Sequence, residues 1–306
     1  MKILVFTEKP FASAASKAIA ETVNASGNEL ELVECGTRED FFKAIADAEA
    51  LIVRSDKVDA ELIDAAPKLK VIVRAGAGYD NIDIEAASRH GICVMNTPGQ
   101  NSNAVAELVF GMVIMMCRNQ YNGKSGSELK GKTLGIYAYG QVGRNVARIA
   151  KGFGMKIEAL DKFVKDEIME ADGVKPLHDV KELFSQNNFV SLHIPATSET
   201  KQSIGYDLVM MMPQNGVLIN TARKEVINEE GLFKALQERP DLRYVSDIKP
   251  DMSEEFEKEF ASRVFFTPKK MGAQTAEANF NAGVAAAEQS IAYLKNGWNK
   301  FQVNKL

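Results

Sequence analysis

Between Leu134 and Asp161 the chain reads as strand, glycine turn, helix and second strand, and no other stretch limits the fold as tightly. Leu134-Gly135-Ile136-Tyr137 is a short buried-strand run, followed by the turn Ala138-Tyr139-Gly140-Gln141-Val142-Gly143. Val146, Ala147, Ile149 and Ala150 then recur at helical spacing. A second strand, Met155–Leu160, ends on Asp161, eighteen residues after Gly143. That order opens a dinucleotide-binding βαβ unit.

Each part has a physical reason. Gly140 lets a pyrophosphate approach the backbone, and Gly143 lets the helix pack closely on the strand. The helix N-terminus offers unpaired N–H groups and a positive dipole end to phosphates. Asp161 can accept hydrogen bonds from both ribose hydroxyls, and its charge repels a 2′-phosphate, which favours NAD over NADP. The first position of the fingerprint is Ala138 instead of glycine, which weakens the match: a methyl group is tolerated there if φ is negative, with a slight adjustment of the turn.

At 306 residues the chain has room for two domains. Its 45% hydrophobic and 25% charged content are ordinary for a soluble protein. A net charge of −4 argues against a general nucleic-acid surface. Cys35, Cys93 and Cys117 lack metal-ligand spacing and fit a reducing cytosol as small apolar residues. The start, Met1-Lys2 then Ile3-Leu4-Val5-Phe6, carries no signal peptide, and the longest apolar run, Ala104 to Cys117, is too short to span a bilayer. A cytoplasmic protein is expected.

The first hundred residues alternate strand candidates (Ile3–Phe6, Glu29–Val33, Leu51–Val53, Val71–Arg74, Ile92–Met95) with helical patterns such as Phe11–Val23 and Ala60–Ala66. Such alternation predicts an α/β fold with parallel sheets, which bind ligands beyond the carboxyl ends of their strands. Arg54-Ser55-Asp56-Lys57 at one such end suits a phosphate, or is a surface ion pair. Arg74-Ala75-Gly76-Ala77-Gly78-Tyr79-Asp80 at another would aim several backbone N–H groups at a carboxylate, or is a tight turn.

A long helix begins near Asn101, and the polar Asn119–Lys132 connection reads as loop. Strand-like runs follow at Phe189–His193, Val209–Met212, Gly216–Ile219, Leu242–Val245 and Val264–Phe266. His193, Arg223, Asp247 and Lys269 stand at carboxyl ends of these candidates. A last helix covers about Thr275 to Lys295.

These residues resemble the D-2-hydroxyacid dehydrogenase family over nearly the whole chain. The resemblance rests on Val53-Arg54-Ser55, Arg74–Asp83, Asn103–Glu107, Gly131–Ile136, Ser191-Leu192-His193-Ile194-Pro195 and Leu218-Ile219-Asn220-Thr221-Ala222-Arg223. It implies two Rossmann-like, doubly wound parallel-sheet domains with a cleft between them. A discontinuous, flavodoxin-like substrate-binding domain (1–100 plus 278–306) would flank an NAD-binding domain (101–277), through which family members form homodimers. It also implies cofactor contacts from Tyr139, Gly140, Gln141, Val142, Gly143, Asp161 and Lys162, and from His193, Ile194, Thr221, Ala222, Asp247 and Gly272. Substrate contacts would come from Arg54, Ser55, Gly76, Ala77, Gly78 and Asn101. No regulatory C-terminal domain follows the closing helix, so serine feedback is not expected.

Two departures stand out. Where the family has Thr-Pro-His, this chain has Thr267-Pro268-Lys269, placing lysine at the acid/base position. Where the family has a glutamate, the chain has Met252, with Asp251 one residue short. The departures make chemical sense together, because a carboxylate that orients an imidazole would hold a lysine protonated. Arg223 offers a planar fork for the substrate carboxylate. Desolvation, Arg223 and Lys270 would all favour neutral Lys269.

Arg54 and Ser55 as a phosphate site favour a phosphorylated 2-hydroxy acid. The expected reaction is NAD-dependent oxidation of D-3-phosphoglycerate to 3-phosphohydroxypyruvate, the first step of serine biosynthesis. The alternatives are a glyoxylate or hydroxypyruvate reductase, another D-2-hydroxyacid dehydrogenase, and an NAD-binding sensor or co-repressor.

Overall fold

Short apolar runs alternating with helices produce two wholly parallel sheets in the computed structural model, which describes residues 1–306. The chain divides into two units, Met1–Asn101 with Gln274–Leu306, and Ser102–Ala273.

The first unit holds five strands: β1 (Lys2–Thr7), β2 (Glu29–Glu34), β3 (Ala50–Val53), β4 (Val71–Arg74) and β5 (Cys93–Asn96). Their order is β2-β1-β3-β4-β5. Side chains alternate across a strand, and β1 shows the consequence. Leu4 and Phe6 join Phe41, Leu51 and Leu62 in one core, whereas Ile3 and Val5 join Ile19, Ala282 and Ala286 in the other. The closing helix Ala276–Asn296 covers that second face beside helix Ser13–Ala25. Thr275 caps it by accepting the Ala278 N–H at 3.1 Å, and Gly297 ends it at φ 73°.

The second unit holds seven: β6 (Thr133–Tyr137), β7 (Lys156–Leu160), β8 (Lys175–Leu177), β9 (Phe189–Leu192), β10 (Val217–Asn220), β11 (Arg243–Ser246) and β12 (Val264–Phe266). They run β12-β11-β10-β9-β6-β7-β8. Strand order reverses between β6 and β9 here, and between β1 and β3 in the first unit. Those are the switch points where open α/β sheets bind ligands. Helix Ser102–Cys117 buries Val105, Val109, Met112, Val113 and Met116, so two of its three methionines, Met112 and Met116, pack in a core.

Some expectations need correction. Val209–Met212 is no strand: helix Tyr206–Met210 and a turn occupy it. The edge strand Lys175–Leu177 had no clear sequence signal. Cys93 and Cys117 are buried, but Cys35 is exposed. No helix is long and apolar enough to cross a membrane, and no cluster of His, Cys, Asp or Glu is placed to hold a metal ion.

Candidate active site

The second unit's switch point is built around the turn after β6. Gly143 is required by packing, since a Cβ there would lie 2.3 Å from the Ala138 carbonyl oxygen. Gly140 is different: a Cβ added there would meet nothing within 4 Å. The chain itself leaves room beside that backbone, as a closely approaching phosphate needs. Helix Gln141–Gly152 starts immediately afterwards with no side-chain cap, so its first N–H groups and dipole face outward. Gln141 is exposed and Val142 half-buried.

Ala138 overturns the expectation of a negative φ, for it sits at +79°. A left-handed alanine costs about 1–2 kcal/mol, and its neighbours hold it there. The Tyr139 N–H donates to Asp161 Oδ2 at 2.7 Å. The Tyr139 ring is buried, with its hydroxyl donating to Asp172 at 3.0 Å. Burial raises the pKa of that phenol, keeping it protonated.

Asp161 also accepts the N–H groups of Phe163 and Val164, at 2.7 and 3.0 Å. Three backbone donors therefore fix a carboxylate at the end of β7, with lone-pair capacity left for ribose hydroxyls. Lys162 is exposed and pairs with Glu199.

Beyond β9, His193 lies between two hydroxyls, with Nε2 at 3.0 Å from Ser191 and Nδ1 at 3.2 Å from Thr221. Burial pushes its pKa down from 6.5 to about 3, so the ring is neutral. Ile194, Thr221 and Ala222 are buried beside the same strand ends.

Asp247, at the end of β11, is fully buried. Its carboxylate accepts the Met271 N–H at 2.7 Å, the Gly272 N–H at 2.8 Å and the Thr267 hydroxyl at 3.1 Å. It thus staples both ends of the turn after β12. Gly272 must be glycine, because a Cβ would lie 2.8 Å from Asp247 Oδ2. Between the staples, Lys269 is exposed, so the expected desolvation is not present. Lys270 Nζ instead donates to the Ala222 carbonyl at 3.2 Å, and Arg223 Nη1 donates to that same oxygen at 3.0 Å. Asp251 is exposed and paired with Lys224 at 2.5 Å, while Glu229 accepts the Met252 N–H at 2.8 Å.

The first unit's strand ends are more self-contained. Arg54 Nη1 donates to the carbonyls of Lys9 and Pro10, at 3.2 and 2.9 Å, and Nη2 to Asn279 at 2.8 Å. Its guanidinium also lies 4.9 Å over the Phe11 ring. Of five N–H groups, Nε and one on Nη2 remain for a ligand. Asp56 is buried and accepts the N–H groups of Glu8 and Arg54, at 2.7 and 3.1 Å. Ser55 is exposed and Asn101 half-buried.

The expected row of N–H donors after β4 shrinks. Ala75 N–H goes to Val53 at 2.8 Å and Gly76 N–H to Arg74 at 2.9 Å, which leaves the exposed Ala77 and half-exposed Gly78 to face a ligand. Gly76, at φ 148°, has no space for a Cβ, which would lie 1.4 Å from Arg74 Nη1. Asn279 is the side chain that sequence reasoning overlooked, because it meets Arg54 only through tertiary folding.

The family described as D-isomer specific 2-hydroxyacid dehydrogenase, catalytic domain, matches residues 3–304. A D-3-phosphoglycerate dehydrogenase of Methanocaldococcus jannaschii is 38% identical over 279 residues, covering 85% of this chain and 52% of its relative. The chain thus spans about half the length of that relative. A glyoxylate reductase of Thermococcus litoralis is 35% identical over 290 residues, covering 87% of this chain and 86% of that one. An NAD+-bound 3-phosphoglycerate dehydrogenase of Entamoeba histolytica superposes with a TM-score of 0.89 and 50% identity, covering 100% of this chain and 99% of the other. Fold, strand-end chemistry and similarity agree: this chain belongs to the D-isomer specific 2-hydroxyacid dehydrogenases.

Proposed function

We propose that the chain oxidises D-3-phosphoglycerate to 3-phosphohydroxypyruvate with NAD, which places it at the first step of serine biosynthesis. The observation that carries the chemistry is the meeting of Arg223 and Lys270 on one carbonyl oxygen at the carboxyl end of the second sheet. Two cations converging there suit a carboxylate and a developing ketone.

The NAD assignment rests on the same sheet. Gly140 and the uncapped helix fit the pyrophosphate, the stapled Asp161 fits the adenosine ribose, and its negative charge disfavours a 2′-phosphate. Bound NAD would supply the hydride acceptor. The chain's residues do the rest: Arg223 grips the carboxylate, and Lys269, on the turn after β12, takes the hydroxyl proton. Neutral His193 offers a polar edge without adding a third cation. In the first unit, Arg54, Ser55, Ala77 and Gly78 offer donors that suit a phosphate. A homodimer goes with this reading, and sedimentation velocity tests it.

One feature favours a second reading, glyoxylate or hydroxypyruvate reduction. Arg54 is so engaged with Lys9, Pro10 and Asn279 that it works as a structural tie. A substrate panel separates the two. The proposal expects NADH formation from 3-phosphoglycerate with kcat/KM at least about tenfold above D-glycerate, the worth of a charged hydrogen bond of about 1.5 kcal/mol. Equal values, with efficient glyoxylate reduction, favour the second reading. Nucleotide binding without turnover of any 2-hydroxy acid points to a sensor.

A further inference from the structure

We propose that Tyr139 and Asp172 form a positioning pair that sets the Asp161 carboxylate against the adenosine ribose of the dinucleotide. The inference rests on the NAD assignment proposed for this sheet.

Two segments must be aligned for that carboxylate to meet the ribose. One is the turn after β6 with its left-handed Ala138. The other runs from Asp161, at the end of β7, to Asp172, and it has little packing of its own. Its helix, Asp166–Ala171, is six residues long, has no side-chain cap and buries only Met169. A helix of that length is marginal in water by itself, so contacts with the rest of the unit must fix it.

Tyr139 supplies contacts at both ends of the segment. Its backbone N–H donates to Asp161 Oδ2 at 2.7 Å, and its hydroxyl donates to Asp172 Oδ2 at 3.0 Å. The ring between these two groups is buried, so side chain and backbone move as one. Asp172 also draws in helix Gln141–Gly152. Arg144 Nη1 lies 3.8 Å from the same Oδ2, with its guanidinium 5.4 Å over the Tyr139 ring, and Lys151 Nζ donates to the Asp172 carbonyl. Three side chains from the glycine turn and its helix therefore converge on one aspartate.

The consequence is geometric. Asp161 receives one N–H from the turn and two, those of Phe163 and Val164, from its own segment. The direction of its carboxylate depends on how turn and segment sit together, and the Tyr139–Asp172 hydrogen bond fixes that. Removing the hydroxyl leaves all three backbone donors in the chain but lets the two segments shift. The loss should appear in ribose binding and should pass through Asp161.

The test titrates ADP-ribose, the dinucleotide without its nicotinamide, by calorimetry into cofactor-free wild type, Tyr139→Phe, Asp161→Ser and the double variant. Tyr139→Phe keeps the buried ring and should unfold cooperatively like wild type. It should bind ADP-ribose about tenfold more weakly, the worth of one hydrogen bond to a charged group. In the Asp161→Ser background the same change should cost less than about twofold, because the two residues act through one contact. Losses that simply multiply would show that Tyr139 does not work through Asp161 and would overturn the inference. Asp172→Asn still offers the hydroxyl an acceptor and should bind more tightly than Asp172→Ala. Wild-type affinity in Asp172→Ala overturns the pairing. Wild type that binds no ADP-ribose removes the NAD assignment and this inference with it, whereas binding that is equal in wild type and Tyr139→Phe removes the inference alone.

Discussion

The two sheets end in unlike ways, although both are parallel and both reverse strand order. At the first unit's switch point the polar groups are mostly turned on the chain itself. Arg54 ties Lys9, Pro10 and Asn279, Asp56 holds two N–H groups, and Gly76 donates to Arg74. In the second unit, Gly140 and an uncapped helix start leave backbone donors facing outward. The first unit thus spends most of its strand-end polar groups on its own folding, while the second leaves backbone donors open at its strand ends.

The largest effect is expected at Gly143. Its Cβ would lie 2.3 Å from the Ala138 carbonyl, and overpacking of this kind costs about 1–3 kcal/mol. Gly143→Val should lower thermal stability and abolish NADH binding by fluorescence. Wild-type binding in that variant would show that the turn does not hold the cofactor.

Arg54→Met probes the other side. Removing three donated hydrogen bonds should destabilise the protein by about 1–3 kcal/mol in denaturant unfolding. If Arg54 only recognised substrate, stability would be untouched and KM alone would rise.

Ala138→Gly should stabilise by about 1 kcal/mol, because it removes the cost of a left-handed Cβ. An unchanged or lowered midpoint would mean that the native turn carries no such strain.

A smaller effect comes from His193, whose pKa is depressed to about 3 in the fold. Between pH 6.5 and 3 the unfolded imidazole takes a proton that the folded one refuses. Stability from this group is therefore present above 6.5 and lost as pH falls through that window. His193→Gln should flatten acid destabilisation there, and an identical pH profile would show that the ring protonates in place.

Much of the architecture was legible because parallel strands buried on both faces read as apolar runs. The exceptions have physical causes. Val209–Met212 is too short a run for periodicity to separate strand from helix. Lys175-Pro176-Leu177 hides a strand because an edge position tolerates proline. Site residues on the fingerprint and strand ends were legible from local spacing. The contact of Lys270 with the Ala222 carbonyl was not, because the turn that carries it is held by Asp247, more than twenty residues earlier in sequence. The Ala75 N–H looked available for the same reason: its acceptor, the Val53 carbonyl, lies on a strand that only folding brings near.

Calorimetry decides whether the open strand ends of the second unit hold NAD through Asp161. NAD and NADP would be titrated into wild type and Asp161→Ser. NAD should bind wild type at least about tenfold tighter than NADP, equivalent to about 1.4 kcal/mol, and that preference should nearly vanish in the variant. Equal affinity of wild type for the two nucleotides would remove Asp161 from cofactor selection.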